Sequence, residues 1–515
     1  MNVRLGLCGL PLLLLLVSTS ICCTRPKKDY AGEREELYAV LRLETGRMPR
    51  KGVLLRDALC SEFPVVRARA VRALRRVGAL DDFAEWEIFL GDENPAVRLE
   101  AVCALRHLAR PASVPLLKEM ARDPDPRVRA ASVKALSCTG SAAPGWLEEV
   151  YRDPAPIVRR EALFALAELK DPMAYLSLRT VAPMERDERV RWAVYWALAS
   201  FGDIYPEVRD DLIGAVGDPN FLVSVFSLMG LGSAAGVDGV EEILVTLRDP
   251  KKFWLVREAA VEALSEYLRQ GNLDHPARMK IEAAFLELLS RHGSLALGSP
   301  PRERLRDLLL RGGGGVVPGG TETRKLPSTP PSTRSSQPSL SSQPGEPDAS
   351  PPLVLNRTGR NPRVRVTVEG RGEIFLELFA LDAPRHVARF RERMEGGYYD
   401  GGKVKAVDLA LGVSFADTSA PSQETPKGVL AGETFYRPYL RGALLAIPRM
   451  GFKVRGPVVQ AKDSFESAAG SFLIAVVPQP KLEGLVTCFG KVALGMEVLD
   501  RLEAGDVVES IQWVE

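Results

Sequence analysis

Seven stretches of the chain repeat one pattern of apolar and polar positions: PVVRARAVRAL (64–74), PAVRLEAVCAL (95–105), PRVRAASVKAL (126–136), PIVRREALFAL (156–166), ERVRWAVYWAL (188–198), FLVSVFSLMGL (221–231) and WLVREAAVEAL (254–264). The residue after the anchoring valine falls at 67, 98, 129, 159, 191, 224 and 257, so the unit returns every 30 to 33 residues. Within a unit, positions such as Val97, Val102 and Leu105 recur at helical spacing. A second apolar segment, for example SVPLLKEMAR (113–122), precedes the next unit. Each unit is therefore a predicted helix pair that can bury its apolar faces only by stacking on its neighbours, which makes residues 30–311 an α-solenoid.

Asp-Pro or Asn-Pro stands just upstream of most units, at Asn94-Pro95, Asp123-Pro124, Asp153-Pro154, Asp218-Pro219 and Asp249-Pro250. The expectation is a helix N-cap followed by a first-turn proline. The repeated D-P-x-x-V-R-x-x-A-x-x-A-L run resembles the HEAT and HEAT-like bacterial repeats, which implies a docking surface and no particular chemistry. Arg67, Arg98, Arg129, Arg159, Arg191 and Arg257 form a row. It reads either as a ladder bonding turns and neighbouring carboxylates or as an anion-binding ridge. Trp192, Tyr195 and Trp196, at i, i+3 and i+4, read as core or as a partner patch.

The composition then changes. RERLRDLLLR (302–311) is helical in pattern, but 312–360 is rich in Gly, Pro, Ser and Thr and has nothing to bury. This is a flexible tether, and it implies no fixed interface between the parts that it joins. From 361 to 515 the period is that of strands. RVRVTVEG (363–370) and GEIFLELFA (372–380) alternate around a turn at Arg371-Gly372, and GALLAIPR (442–449), SFLIAVV (471–477) and TCFGKV (487–492) follow. Helical spacing appears in APRHVARFRERMEGG (383–397) and GMEVLDRLEAG (495–505). Many strands with two helices predict a closed antiparallel β-barrel capped at its mouths.

The stretches GEIFLELFALDAPRHVARFRERMEGGYYDG and SFLIAVVPQPKLEGLVTCFGKVALGMEVLDRLEAGD resemble the opening and closing halves of cyclophilin-type peptidyl-prolyl isomerases. The resemblance implies the catalysed rotation of an X-Pro bond, whose barrier is ~18–20 kcal/mol. In that family an arginine donates to the prolyl region and favours the twisted amide, while an apolar pocket holds the ring. Counted from Asp400-Gly401, the arginine position is Ala406, so no catalytic residue of the family is retained. Its pocket Phe is Leu411, its Met Gly412, its orienting Gln Ser414, and Gln-Phe-Phe is Ser471-Phe472-Leu473. The pocket His is Val486, Leu482 is kept, and the backbone-binding Met-Ala-Asn is Ala446-Ile447-Pro448. Leu411, Ser414, Ser471, Leu473, Leu482 and Val486 are then the candidate peptide groove, or else they fill the vacated pocket. A substitute donor would have to come from Lys403, Lys405, Arg437, Arg441 or Arg449, with Lys405 expected on the opposite strand face from 406. Residues 450–470 look like an insertion.

Composition narrows the remainder. Lys+Arg number 68 against 66 Asp+Glu, a net charge of +2, so no global field recruits nucleic acid. Seven cysteines lack CxxC spacing, His107, His275, His292 and His386 are scattered, and neither a metal nor a cofactor is implied. At the start, Arg4 precedes an apolar run from Leu5 to Val17, the build of a secretory signal over 1–23 and shorter than the ~20 residues of a membrane span. Cys22-Cys23 resembles a lipoprotein acceptor, although Ile21 stands where a small residue is usual. The expectation is an exported protein, periplasmic or in the cell envelope, secreted or lipid-anchored. It binds protein or peptide partners on the solenoid and on the barrel's groove, either as a scaffold with an inactive barrel or as an isomerase whose solenoid selects clients.

Overall fold

In the computed structural model, the chain is described over residues 32–45, 51–77, 83–108, 111–202, 204–234, 236–270, 273–290, 361–408, 412–415, 437–448, 452–455, 458–461, 468–483 and 486–514. The leader with Cys22 and Cys23, residues 302–311 and the tether lie outside these.

The seven repeated stretches are seven helices: α3 (Pro64–Val77), α5 (Pro95–Leu108), α7 (Pro126–Cys138), α9 (Pro156–Leu169), α11 (Glu188–Ala199), α13 (Phe221–Ser233) and α15 (Trp254–Gln270). Each packs on the next to form one row. Between them lie α4 (Phe83–Leu90), α6 (Val114–Met120), α8 (Pro144–Tyr151), α10 (Pro172–Val181), α12 (Val208–Ile213) and α14 (Val240–Arg248). The series opens with α1 (Glu33–Thr45) and α2 (Lys51–Ala58) and closes with α16 (His275–Ser290). Small residues set the spacing of the row. A Cβ on Gly230 would lie 2.6 Å from the Cβ of Ala199, so α13 and α11 approach as closely as they do only because both positions are nearly bare.

The arginine row is a ladder. Arg98 Nε donates to Asp123 Oδ2 at 2.7 Å while its Nη1 donates to the Asp92 carbonyl at 2.8 Å. Arg129 repeats this with Asp153 and the Asp123 carbonyl, and Arg159 with Glu185 and the Asp153 carbonyl. Arg67 bonds Asp92 and the Ser61 carbonyl, and Arg191 pairs with Asp218. Ser224 takes the place of the arginine in the sixth unit and donates to the Asp218 carbonyl at 3.0 Å. The expectation that these aspartates cap helices needs correcting. Asp125 caps α7 and Asn220 caps α13, two residues after Asp123 and Asp218. Asp123 and Asp218 instead brace the turn through the N–H of Asp125 and Asn220 and receive the arginine of the preceding unit. Of the five Asx-Pro pairs named above, Asn94 is the one placed as expected, accepting from the Ala96 N–H at 2.9 Å.

Trp192 belongs to the core, stacked on Phe226 with ring centroids 5.5 Å apart. Tyr195 and Trp196 are half-buried beside it.

The second architecture is a closed antiparallel barrel in the order β1-β10-β3-β4-β8-β5-β9-β2. Its strands are β1 (Arg363–Val368), β2 (Gly372–Leu378), β3 (Gly402–Asp408), β4 (Gly412–Phe415), β5 (Ala443–Pro448), β8 (Ala468–Ile474), β9 (Cys488–Leu494) and β10 (Val507–Val514). Helices α17 (Pro384–Glu395) and α18 (Met496–Leu499) accompany it. The second is a single turn, shorter than the helical spacing of 495–505 suggests. The β1–β2 turn is centred on Gly370 at φ 67, one residue earlier than expected, with Val368 paired to Gly372. Within 450–470 a separate hairpin forms from β6 (Phe452–Arg455) and β7 (Val458–Ala461).

Candidate functional site

Strand alternation sorts the barrel residues into two buried sets. Val404, Val413, Phe415, Leu444, Phe472 and Ile474 face the interior, where Phe390 of α17 meets Phe472 edge-on. Leu445, Leu473, Ala475 and Cys488 face the other way and join Phe379, Tyr439, Ala443, Leu482 and Val486 in a distinct apolar cluster on the outer side of the sheet.

That outer face carries the candidate residues. Across the strands, Ala406 pairs with Ser414, Ser414 with Leu473, Leu473 with Leu445 and Leu445 with Cys488, one file over five strands. Ala406 enters it through a bulge: Val404 opposes Phe415 and Ala406 opposes Ser414, so Lys405 is the extra residue. Simple alternation therefore does not hold across 404–406, and the expectation that Lys405 faces away from 406 does not follow. Lys405 is exposed within the bulge.

The file is roofed by residues 479–483 and Val486. A short 3-10 turn, Pro480–Leu482, drops Leu482 onto the sheet at 0% exposure, and Val486 follows at 1%. Tyr439 ties this roof down: its hydroxyl donates to the Val486 carbonyl at 2.6 Å, its N–H to Glu483 Oε1 at 3.0 Å, and its carbonyl accepts from the Gln479 N–H at 2.7 Å. Burial pushes the Cys488 thiol beneath up to about 12, which leaves it an inert apolar filler. Leu473, Leu482 and Val486 are thus brought together, with Leu473 paired to Ser414. Ser471 lies on β8 beyond Phe472, and Leu411 is outside the described residues.

Comparison with known proteins fits this geometry. The family described as cyclophilin type peptidyl-prolyl cis-trans isomerase matches residues 363–514, and HEAT repeats match 83–144 and 143–224. The barrel is a cyclophilin-type domain. The chain is similar to a peptidyl-prolyl cis-trans isomerase of Helicobacter pylori, 27% identical over 143 residues that make up 27% of this chain and 80% of that protein. Against peptidyl-prolyl cis-trans isomerase B of Bacillus subtilis it is 26% identical over 145 residues, 28% of this chain and 93% of the relative. A crystal structure of a Cryptosporidium parvum cyclophilin covers 30% of this chain and 99% of its own, at 20% identity and a TM-score of 0.25.

In this cyclophilin-type domain the position at which the resemblance implies Met is held by Gly412. The residue sits at φ 142, and a Cβ there would lie 2.2 Å from the Ile474 carbonyl oxygen, so no side chain fits. Of the candidate donors, Arg437 stays beside the outer cluster, since it pairs with Asp382 and its guanidinium lies 3.9 Å over the ring of Phe379, a member of that cluster. Arg441 pairs with Asp500, and Lys403 is exposed on β3. Arg449 is outside the described residues. Among the described residues no cluster of His, Cys, Asp or Glu is arranged to hold a metal. Tyr439, which organises the roof, escapes a sequence reading because a tyrosine before a strand carries no period that marks it.

Proposed function

We propose that the chain is a protein-interaction scaffold whose cyclophilin-type barrel has kept the frame of an isomerase and given up its chemistry. The observation that carries this reading is the packing of Leu473 beneath the roof residues Leu482 and Val486, each at most 3% exposed, with the roof fixed by Tyr439. A proline ring needs an open apolar pocket next to a fixed donor. Here Leu473, Leu482 and Val486 are buried against one another, and position 406 carries alanine. The HEAT repeats supply an extended surface for protein or peptide partners.

The test is a proline-peptide isomerisation assay on the full chain. The scaffold reading expects no acceleration over the uncatalysed rate, and rates ordinary for the family would overturn it. A second reading, a weak isomerase with a solenoid that selects clients, is favoured by one feature: Lys405, exposed in the bulge beside position 406. In that case acceleration would be measurable and would be lost in Lys405→Ala.

Export belongs to the same proposal and rests on the leader alone, with Arg4, the apolar run and Cys22-Cys23 as lipid acceptor. Fractionation of cells expressing the chain, with and without Cys22→Ser and Cys23→Ser, tests it. Recovery of the unsubstituted protein in the cytosol would refute it.

A further inference from the structure

The repeat pattern contains one position that keeps no fixed residue type. Two residues before the closing leucine of each unit, where the flanking residues stay small or apolar, the chain carries in order arginine, cysteine, lysine, phenylalanine, tryptophan, methionine and glutamate. Some of these residues have partners within the solenoid: Arg72 pairs with Glu100, and Phe164 meets the Trp196 ring edge-on at 4.8 Å. The structure shows what else several of them meet. Arg72 Nη1 lies 3.0 Å from Asp382 Oδ1, and Lys134 Nζ lies 2.5 Å from Glu483 Oε2. Phe164 and Trp196 line a small cavity closed by Pro480. All three partners belong to the barrel.

Further contacts lie on both sides of this stripe. Near the first unit, Arg69 donates to the Leu381 carbonyl and Arg437 reaches the second oxygen of Asp382. Near the last two, the Arg441 guanidinium lies 5.7 Å over the Phe221 ring and 5.5 Å over the Phe253 ring while it pairs with Asp500. The contacts therefore run from α3 to the turn just before α15, along the row of repeated helices. Charge is matched at each ionic point, with solenoid cations against barrel carboxylates. The central pair is well shielded, with side-chain exposures of 15% for Lys134 and 7% for Glu483. Burial opposes both charges: at Lys134 the carboxylates of Glu483 and Glu161 outweigh it and hold the pKa above the ordinary lysine value, whereas at Glu483 burial prevails over Lys134 and raises the pKa. An ion pair this buried is costly to leave half-made.

We propose that the row of repeated helices is a receptor for the chain's own barrel, read by the variable stripe, and that the docked unit is the resting form of the protein. Glu483 adjoins Leu482, so docking also clamps the roof of the outer face. A partner that uses this row must displace the barrel. The inference goes beyond the scaffold reading and stands whether or not the barrel turns over proline peptides.

The test uses the full chain. A zero-length carbodiimide should join Lys134 to Glu483 within the monomer, and small-angle scattering should give a compact particle. Lys134→Glu and Glu483→Lys, one change on each side of the contact, should each raise the radius of gyration, and the double exchange Lys134→Glu/Glu483→Lys should bring it back. Circular dichroism establishes that each variant is folded. A wild-type chain without the intramolecular cross-link, a link found only between two chains, or folded single variants with unchanged scattering would each overturn the proposal.

Discussion

The hydroxyl of Tyr439 donates to the backbone carbonyl of Val486 at 2.6 Å, across 47 residues of sequence. This bond holds the roof onto the outer face of the barrel and satisfies a carbonyl that is out of reach of water. Tyr439→Phe keeps the ring and removes the donor, which leaves a buried acceptor unpaired. The expected loss is roughly 1–3 kcal/mol of stability, read by chemical denaturation. Amide exchange should quicken around 482–486, and unchanged exchange there would show that the roof is held by packing alone.

The arginine ladder predicts a cost that depends on the unit. Arg129→Ala leaves Asp153 and the Asp123 carbonyl without their donor, and should cost roughly 1.5–3 kcal/mol because the bonds involve a charged group. Ser224→Ala removes a neutral bond to the Asp218 carbonyl and should cost about 1 kcal/mol. Thermal or denaturant unfolding of the two variants against the unsubstituted chain checks the order.

Acid should loosen the first units through Glu44. Burial opposes the charge of its carboxylate, but Arg69 and Arg76 outweigh it and hold the pKa at about 2, against 4.5 ordinarily. Because the folded value is the lower one, the ionised form stabilises the fold above pH 4.5. That contribution is lost as the pH falls from there towards 2, up to on the order of 3 kcal/mol. Glu44→Gln should be less stable at pH 7 and flatter between pH 5 and 3. An unchanged slope in pH-dependent denaturation would contradict this.

Thiol labelling separates buried from exposed cysteines. In the native protein, Cys60 and Cys138 are exposed while Cys103 and Cys488 are buried. Burial raises the pKa of Cys103 and Cys488 and also of Cys138, so access to the reagent and not thiol acidity separates the two sets. A maleimide at neutral pH should modify the first two and spare the others until the chain is unfolded, as read by peptide mass.

The repeats were legible because they state one neighbour relation seven times, and the strands because their alternation matches burial. What the sequence misplaced is short-range in appearance and long-range in fact. Asp123 next to Pro124 looks like a cap, but its main partner is Arg98, 25 residues earlier, and the cap is Asp125. At the barrel, Ala406 could be aligned by counting. The bulge that gives Lys405 its place beside it appears only in the pairing of β3 with β4.

The sequence by itself determined the solenoid and the barrel, since these rest on periodicity and on residue identity at fixed spacing. The tether between them suggested two parts with no set relation, and the contacts correct that. Arg72 and Asp382 stand 310 residues apart and meet at 3.0 Å. Only the tertiary structure decided this, because a period encodes which face of an element is buried, whereas the fit between two finished surfaces depends on where folding has brought isolated charges.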